Sequence, residues 1–357
     1  LVSLKCAIAS KLLTQLEEVG SVDPQVAILL LCQCGGFCKL AHLERSTPAS
    51  LVAEGFKYFD NDVRHCFALC TGVDTTNSSW EQAQLSLSRG GIGLHSLSDH
   101  SSACYIASFS MSSLGLELIS NQHLIHSIEE YNGRIPLTEA ITIEAVSHAP
   151  CRQKDLSCKL EDSQFNKLFA NSSLPDRARL LSVSFPHAGA WLSVIPSPGL
   201  NLQLDPLEYQ TAIQWWLGMS VSQRASCPFC PAHSLDSLGH HALTCKHGGD
   251  VVTRHNRLRD VFVESCRRAC VGVQVEVASG YGLHEHNKRP AHVLAANWML
   301  GKPAAFDFTV TSPLVSTNLP EASVTAGSAA FAAEPEQPKH RSNDAKYAEL
   351  GWVSIPL

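Results

Sequence analysis

The sequence contains no glycine frame for cradling a phosphate. Neither a GKS/GKT loop nor a GxGxxG occurs, and Gly90-Gly91-Ile92-Gly93 follows neither pattern. Those glycines are read instead as a tight turn between helices. No uninterrupted apolar run of membrane-spanning length is read, so no membrane partner is expected. The opening LVSLKCAIASKLLTQLEEVG turns acidic after a short apolar stretch and has no cleavage site, so a secretory leader is not expected. Internal repeats and long low-complexity tracts are also missing; the nearest is an Ala/Glu/Pro-rich loop near residues 327–338. An initiator Met is lacking, and Gly351 to Leu357 reads as a strand cut at its edge, so a fragment truncated at its C-terminus is expected.

What is present describes a globular chain. Its 357 residues allow two or three domains, and 45% hydrophobic against 17% charged residues excludes a disordered protein. The 14 cysteines are scattered through apolar helix-like contexts such as Cys66, Cys70, Cys104 and Cys266. That is not the framework of a small secreted domain, so a reducing compartment, nuclear or cytoplasmic, is expected. The Cys32, Cys34, Cys38 group is read as small buried hydrophobes. The net charge of -6 is uneven: residues 224–302 hold ten Lys/Arg against six Asp/Glu, a net of +4, leaving -10 elsewhere. A basic segment in an acidic chain fits either a phosphate-binding module or a solvated helix face.

The first 115 residues read as helical. Asp23 caps a helix that begins at Pro24, and Phe56, Phe59, Val63 and Phe67 recur at helical spacing. Residues 116–226 form a mainly helical connector in which Asp205-Pro206 starts a helix with Tyr209, Ile213, Trp216 and Leu217. Beyond residue 254 comes an α/β layout. A helix runs from Asn256 to about Cys270, then strands at Val273–Val277, after Arg289-Pro290, and at 304–310. A helix near 343–350 and a terminal strand close the sequence.

The densest chemistry lies at 227–256. Cys227 and Cys230 form a CxxC, and His241 and Cys245 follow at C-x2-C-x10-H-x3-C spacing. Two thiolates on a turn with a His and a Cys from one helical turn close a tetrahedral zinc shell. Four protein ligands mark a structural Zn²⁺ site; His233 and His240 are competing ligands. Arg254, His255 and Arg259 follow at a helix start, where phosphate contacts or an ordinary solvated entrance are both compatible.

Asp307 stands within Ala-Ala-Phe-Asp-Phe-Thr-Val. An acid in such a strand is costly to bury unless it is paired or binds a cation; otherwise it lies on the solvent face of an edge strand. Metal-dependent phosphodiester cleavage needs at least two acids around Mg²⁺ and a Lys near the attacking water. Lys346 is the candidate Lys; Glu276, Asp260 and Glu264 are candidate acids. A partner acid is wanted at position 292, which is His292.

These residues resemble the carboxy-terminal part of non-LTR (LINE-like) retrotransposon polyproteins carrying a restriction-enzyme-like endonuclease. The family pattern is a CCHC knuckle, R-H-N at a helix start, R-P-x-D or K-P-D, then D-x-T-V and K-Y. Here stand Cys227, Cys230, His241, Cys245; Arg254-His255-Asn256; Arg289-Pro290-Ala291-His292; Asp307-Phe308-Thr309-Val310; and Lys346-Tyr347. Upstream, Gln84-Leu85-Ser86-Leu87 with the glycine turn and the Ala/Ser-rich stretch through Ile106-Ala107-Ser108 is similar to the segment after the polymerase palm.

The resemblance implies an α+β chain. Its parts would be a helical thumb-like region (1–115), a helical connector (116–226), a zinc knuckle (227–256) and a restriction-endonuclease-like core (254–357). It implies DNA or RNA as partner, with Arg254, His255, Arg259 and Arg289 as contacts. It also implies Mg²⁺ at Asp307, Lys346, Glu276 and position 292, provided the nuclease site functions. Two departures bear on function. No YxDD motif is present, so no polymerase palm is expected. The first endonuclease aspartate falls on His292, and a neutral imidazole does not supply a carboxylate's charge to Mg²⁺. The expectation is a nuclease fold with little or no cleavage. The alternatives are a non-enzymatic zinc-stabilised nucleic-acid-binding module and a helical scaffold with incidental Cys and His.

Overall fold

The structure, a computed structural model, describes residues 2–112, 121–223, 225–231, 233–276, 291–333, 347 and 351–356. The fold is α+β, mainly helical with two small sheets. Contacts divide the chain into a first unit up to Val221 and a second from Ser222. The stretches expected as thumb-like region and connector thus lie in the first unit, while the expected knuckle and core lie in the second.

The first unit is built from helices α1 (Val2–Gly20), α2 (Pro24–Leu30), α3 (Ala41–Ser46), α4 (Ala53–Thr71), α5 (Asn77–Gln84), α6 (Leu97–Ser112), α7 (Gln122–Asn132), α8 (Ile143–His148), α9 (Gln153–Ala170), α10 (Leu174–Val183) and α11 (Pro206–Trp216). Asp23 caps α2 through a 3.0 Å bond from the Val26 N–H, and Asp205 caps α11 through Leu207. On α4 the expected face Phe56, Phe59, Val63, Phe67 is buried against Cys6, Ala9, Leu13 and Leu16 of α1. Truncating Phe56 or Phe59 to Ala costs about 3–5 kcal/mol on the usual core scale. The glycine turn forms as expected: a Cβ on Gly91 would stand 1.9 Å from the Leu85 carbonyl oxygen, so the chain closes there only without a side chain.

One expectation needs correction here. By composition and length, residues 24–46 are apolar enough to cross a membrane. The segment is not an uninterrupted apolar run, because Gln33, Lys39 and His42 lie within it. It bends at Gly36, between a π-turn at Leu31–Gly35 and a short 3₁₀ turn, and packs Ala27, Ile28, Leu31, Leu40 and Leu43 into the core of the first unit.

The second unit opens with a small antiparallel hairpin, β1 (Ala225–Ser226) and β2 (Ser234–Leu235). Helices α12 (His240–Thr244) and α13 (Asp250–Arg268) follow. Strands β3 (Val273–Val275), β4 (Val293–Met299) and β5 (Lys302–Asp307), helices α14 (Leu319–Ala322) and α15 (Ser328–Ala333), and strand β6 (Val353–Pro356) complete it. The sheet order is β3-β4-β5-β6, antiparallel except for the parallel β5–β6 pair. Strand alternation buries Val293, Ala295, Ala304 and Phe306 against Phe262 and Val263 of α13. On the other side Leu294 and Ala305 pack with Ala291, Tyr347 and Trp352.

Two boundaries differ from the sequence reading. Helix α13 starts at Asp250, not Asn256, because Gly249 takes a left-handed φ of 76° and turns the chain into the helix early. Strand β5 ends at Asp307 rather than continuing to 310. The Phe308 N–H bonds to the His292 side chain, so the backbone ladder stops there. Lys346 and Arg289 lie outside the described residues.

Candidate functional site

Two short elements bring the Cys and His residues of 227–247 together. The β1–β2 hairpin carries Cys227 and Cys230 on its loop, closed by a 3.2 Å bond from the Cys227 N–H to the His233 carbonyl. Helix α12 presents His241, and Cys245 follows at its end, its N–H bonded to the His241 carbonyl at 2.8 Å. The three thiols are buried together with Leu235 beside them.

The Cys227 and Cys245 sulfurs are 3.9 Å apart. Two thiolates on one tetrahedral ion at about 2.3 Å would stand about 3.8 Å apart. His241 Nε2 is buried and makes no hydrogen bond among the described residues, as expected of a nitrogen that serves as a metal ligand. Donor atoms come within 4.8 Å of one another in three groups: Cys227, His241, Cys245; Cys230, His233, His241; and Cys230, Cys245, His247. These groups can hold a metal ion, and their thiol and imidazole donors suit a soft divalent one. Each of the four expected ligands belongs to at least one of these groups, but none of the groups holds all four together. His233 competes as foreseen: its Nδ1 is 3.1 Å from the Cys230 sulfur and its ring stacks on His241. His247 was not foreseen, and His240 is in none of the three groups.

Two residues not named at the outset tune this site. The Phe229 N–H, helped by the Cys230 N–H and the Cys245 thiol, holds the Cys227 thiol below its ordinary value against desolvation. That favours the thiolate, the form that binds metal. Asp236 accepts hydrogen bonds from the N–H groups of Leu238 (3.0 Å), His240 (3.0 Å) and His241 (2.7 Å). Burial opposes its charge, but the His241 and His240 amides outweigh burial and hold its carboxyl below the usual range. Asp236 thereby fixes the turn that carries His241. An Asp shortly before a Gly-His helix start was the signal for it.

The basic residues after the knuckle are mostly engaged within the protein. Because α13 begins at Asp250, Arg254, His255 and Arg259 sit in its second and third turns, and the argument from free amides at a helix start no longer applies to them. Arg254 donates from Nη2 to the Leu243 carbonyl at 2.5 Å, tying α12 to α13. Arg259 pairs with Glu276 at 2.6 Å and with Asp260 at 2.8 Å. His255 Nε2 meets the Phe308 carbonyl at 3.1 Å. Arg257, Lys246 and Arg267 are exposed instead.

The acidic cluster lies where three strands end side by side. The Glu276 N–H bonds to the His292 carbonyl at 2.9 Å, and the His292 N–H to the Phe306 carbonyl at 3.1 Å. This brings Glu276, His292 and Asp307 into one row across neighbouring strands. His292 Nδ1 contacts Asp307 Oδ1 and also accepts from the Phe308 N–H at 3.0 Å. The His255 ring lies edge-on to His292 at 4.4 Å. The side chains of His292 and Asp307 are part-exposed, 33% and 18%, so solvent and ions reach the pair.

Comparison of the chain with protein-family models, with curated proteins and with solved structures finds no match.

Proposed function

We propose that the second unit is a restriction-enzyme-like endonuclease core of the kind found in non-LTR retrotransposon polyproteins, braced by a structural zinc knuckle, that binds nucleic acid without cleaving it. The observation that carries this reading is the row Glu276, His292, Asp307. An endonuclease would place its acids around Mg²⁺ at such a row. Here an imidazole occupies the central position, and Arg259 already neutralises Glu276. Among the described residues of the row this leaves Asp307, and one carboxylate does not supply the negative charge a hard cation needs.

Further support comes from the order of elements. A helix, three antiparallel strands and a fourth strand parallel to the third, with the acids at strand ends, is the layout such a core requires. The knuckle donors suit zinc in a closed shell, so zinc would act as a fold element, ordering α12 and, through Arg254, the start of α13. Nucleic acid would meet Arg257, Lys246 and Arg267, which are exposed, rather than Arg254 and Arg259. The proposed setting is a reducing one, nucleus or cytoplasm.

The test is duplex DNA binding by the zinc-loaded chain across a salt series, with a nicking assay in Mg²⁺. The expected result is affinity falling steeply with salt and no nicking above background. Absence of binding at low salt, or nicking by the unaltered chain, contradicts the proposal.

A further inference from the structure

The first unit contains a cluster of metal-type ligands that none of the motifs above includes. His95 lies on the turn before α6, His100 on the first turns of α6, and Glu161 on α9. One ligand atom from each lies within 4.8 Å of the other two. His95 Nδ1 is 3.6 Å from Glu161 Oε1. The His95 and His100 rings meet edge-on at 5.2 Å, and Phe37 packs on both.

Two features separate this cluster from a set of core histidines satisfied by hydrogen bonds. First, His95 Nδ1 is buried and makes no hydrogen bond among the described residues, an exception that calls for an occupant. Second, the outer partners are in place. His100 Nδ1 is 3.1 Å from Ser157 Oγ, so Nε2 is the ring nitrogen left for a metal. Glu161 Oε2 accepts from Arg89 Nη1 at 3.2 Å and from the Ser86 N–H at 3.4 Å, which leaves Oε1 on the His95 side. Metal ligands are held by such second contacts.

We propose that His95, His100 and Glu161 form a second metal site, binding a divalent transition ion such as Zn²⁺ through two imidazoles and one carboxylate. Ligand atoms on a tetrahedral ion stand about 3.4 Å apart, so small side-chain rotations close the shell. Three protein ligands leave a position open to water or a small anion. His100 also lines a cleft of about 370 Å³ with Arg134, Lys167, Asp99 and Gln164. This site is independent of the zinc knuckle and of the nuclease reading.

The test is cobalt(II) titration of the full chain, followed by absorption and by metal analysis. Cobalt at the knuckle gives a near-ultraviolet thiolate charge-transfer band; cobalt at the His95 site gives ligand-field bands without it. The expected result is a second bound equivalent that adds no thiolate band. His95→Gln and Glu161→Gln should each weaken that equivalent at least about tenfold while the thiolate band stays. If the unaltered chain binds metal only with the thiolate band, the proposal falls, whether or not either variant folds. Unchanged affinity of the second equivalent in a folded His95→Gln or Glu161→Gln chain overturns it equally.

Discussion

Asp307 Oδ1 faces His292 Nδ1 from the neighbouring antiparallel strand, and the same nitrogen accepts a hydrogen bond from the Phe308 N–H. One nitrogen therefore serves two partners. The pair holds the end of β5 in place but leaves the cluster with an imidazole where a cation site wants a carboxylate. The consequences for stability and binding can be separated by substitution.

Asp236 positions α12, so its loss should act on the metal. Asp236→Ala removes one acceptor for three backbone N–H groups and should cost about 1–2 kcal/mol. Zinc affinity, measured by chelator competition, should fall about ten- to a hundredfold. Asp236→Asn, which keeps a capping oxygen, should lose less. Wild-type zinc affinity in Asp236→Ala would show that the turn is held by other means.

Arg254 and Arg257 stand three residues apart on α13 and should behave differently. Arg254→Ala breaks the bond to Leu243 and should lower thermal stability with little change in the salt slope of DNA binding. Arg257→Ala should leave stability within about 0.5 kcal/mol and reduce the slope of log affinity against log salt by about 0.9. The reverse pattern would return the phosphate role to Arg254.

The β4–β5 turn places Leu300 at φ 52° and Gly301 at φ 78°, with Leu300 97% exposed. A two-residue turn with both φ values positive favours Asn-Gly, and Leu pays a steric penalty there. Leu300→Asn should stabilise the second unit by about 1 kcal/mol, read as a higher unfolding midpoint in urea. An unchanged or lower midpoint would mean the turn is not strained.

The Asp23 and Asp205 caps and the α4 face could be read directly because capping and periodicity are local. The row of Glu276, His292 and Asp307 was legible only as separate candidates, because strand register is a long-range property. The engagement of Arg254 and Arg259 was hidden for the same reason: their partners Leu243 and Glu276 lie 11 and 17 residues away in the chain. The His95, His100, Glu161 cluster was invisible since 61 residues separate His100 from Glu161.

Glu44 makes stability depend on pH. It is fully buried beside Cys104, and desolvation, partly offset by the Cys104 contact, pushes its carboxyl up to about 9. The folded chain thus keeps a proton that the unfolded chain releases near 4.5. Its contribution is complete below that value and is lost as pH rises toward 9, with a slope of at most about 1.4 kcal/mol per pH unit. Glu44→Gln, neutral throughout, should flatten the stability profile between pH 5 and 9 and be the more stable form at the alkaline end, relative to wild type. A profile parallel to wild type would show that Glu44 ionises in the folded state.

The most direct measurement is Mg²⁺-dependent nicking of supercoiled DNA by His292→Asp, with His292→Asp/Asp307→Asn as its control. A carboxylate at 292 would stand against Asp307, so the two should repel in chelator and share a cation when Mg²⁺ is added. The predicted result is a midpoint of thermal unfolding that rises with Mg²⁺ in His292→Asp alone. It should be accompanied by nicking at least about a hundredfold above the unaltered chain, abolished by Asp307→Asn. A folded, zinc-loaded His292→Asp chain that neither responds to Mg²⁺ nor nicks DNA would contradict the assignment of Glu276, His292 and Asp307 to a nuclease site.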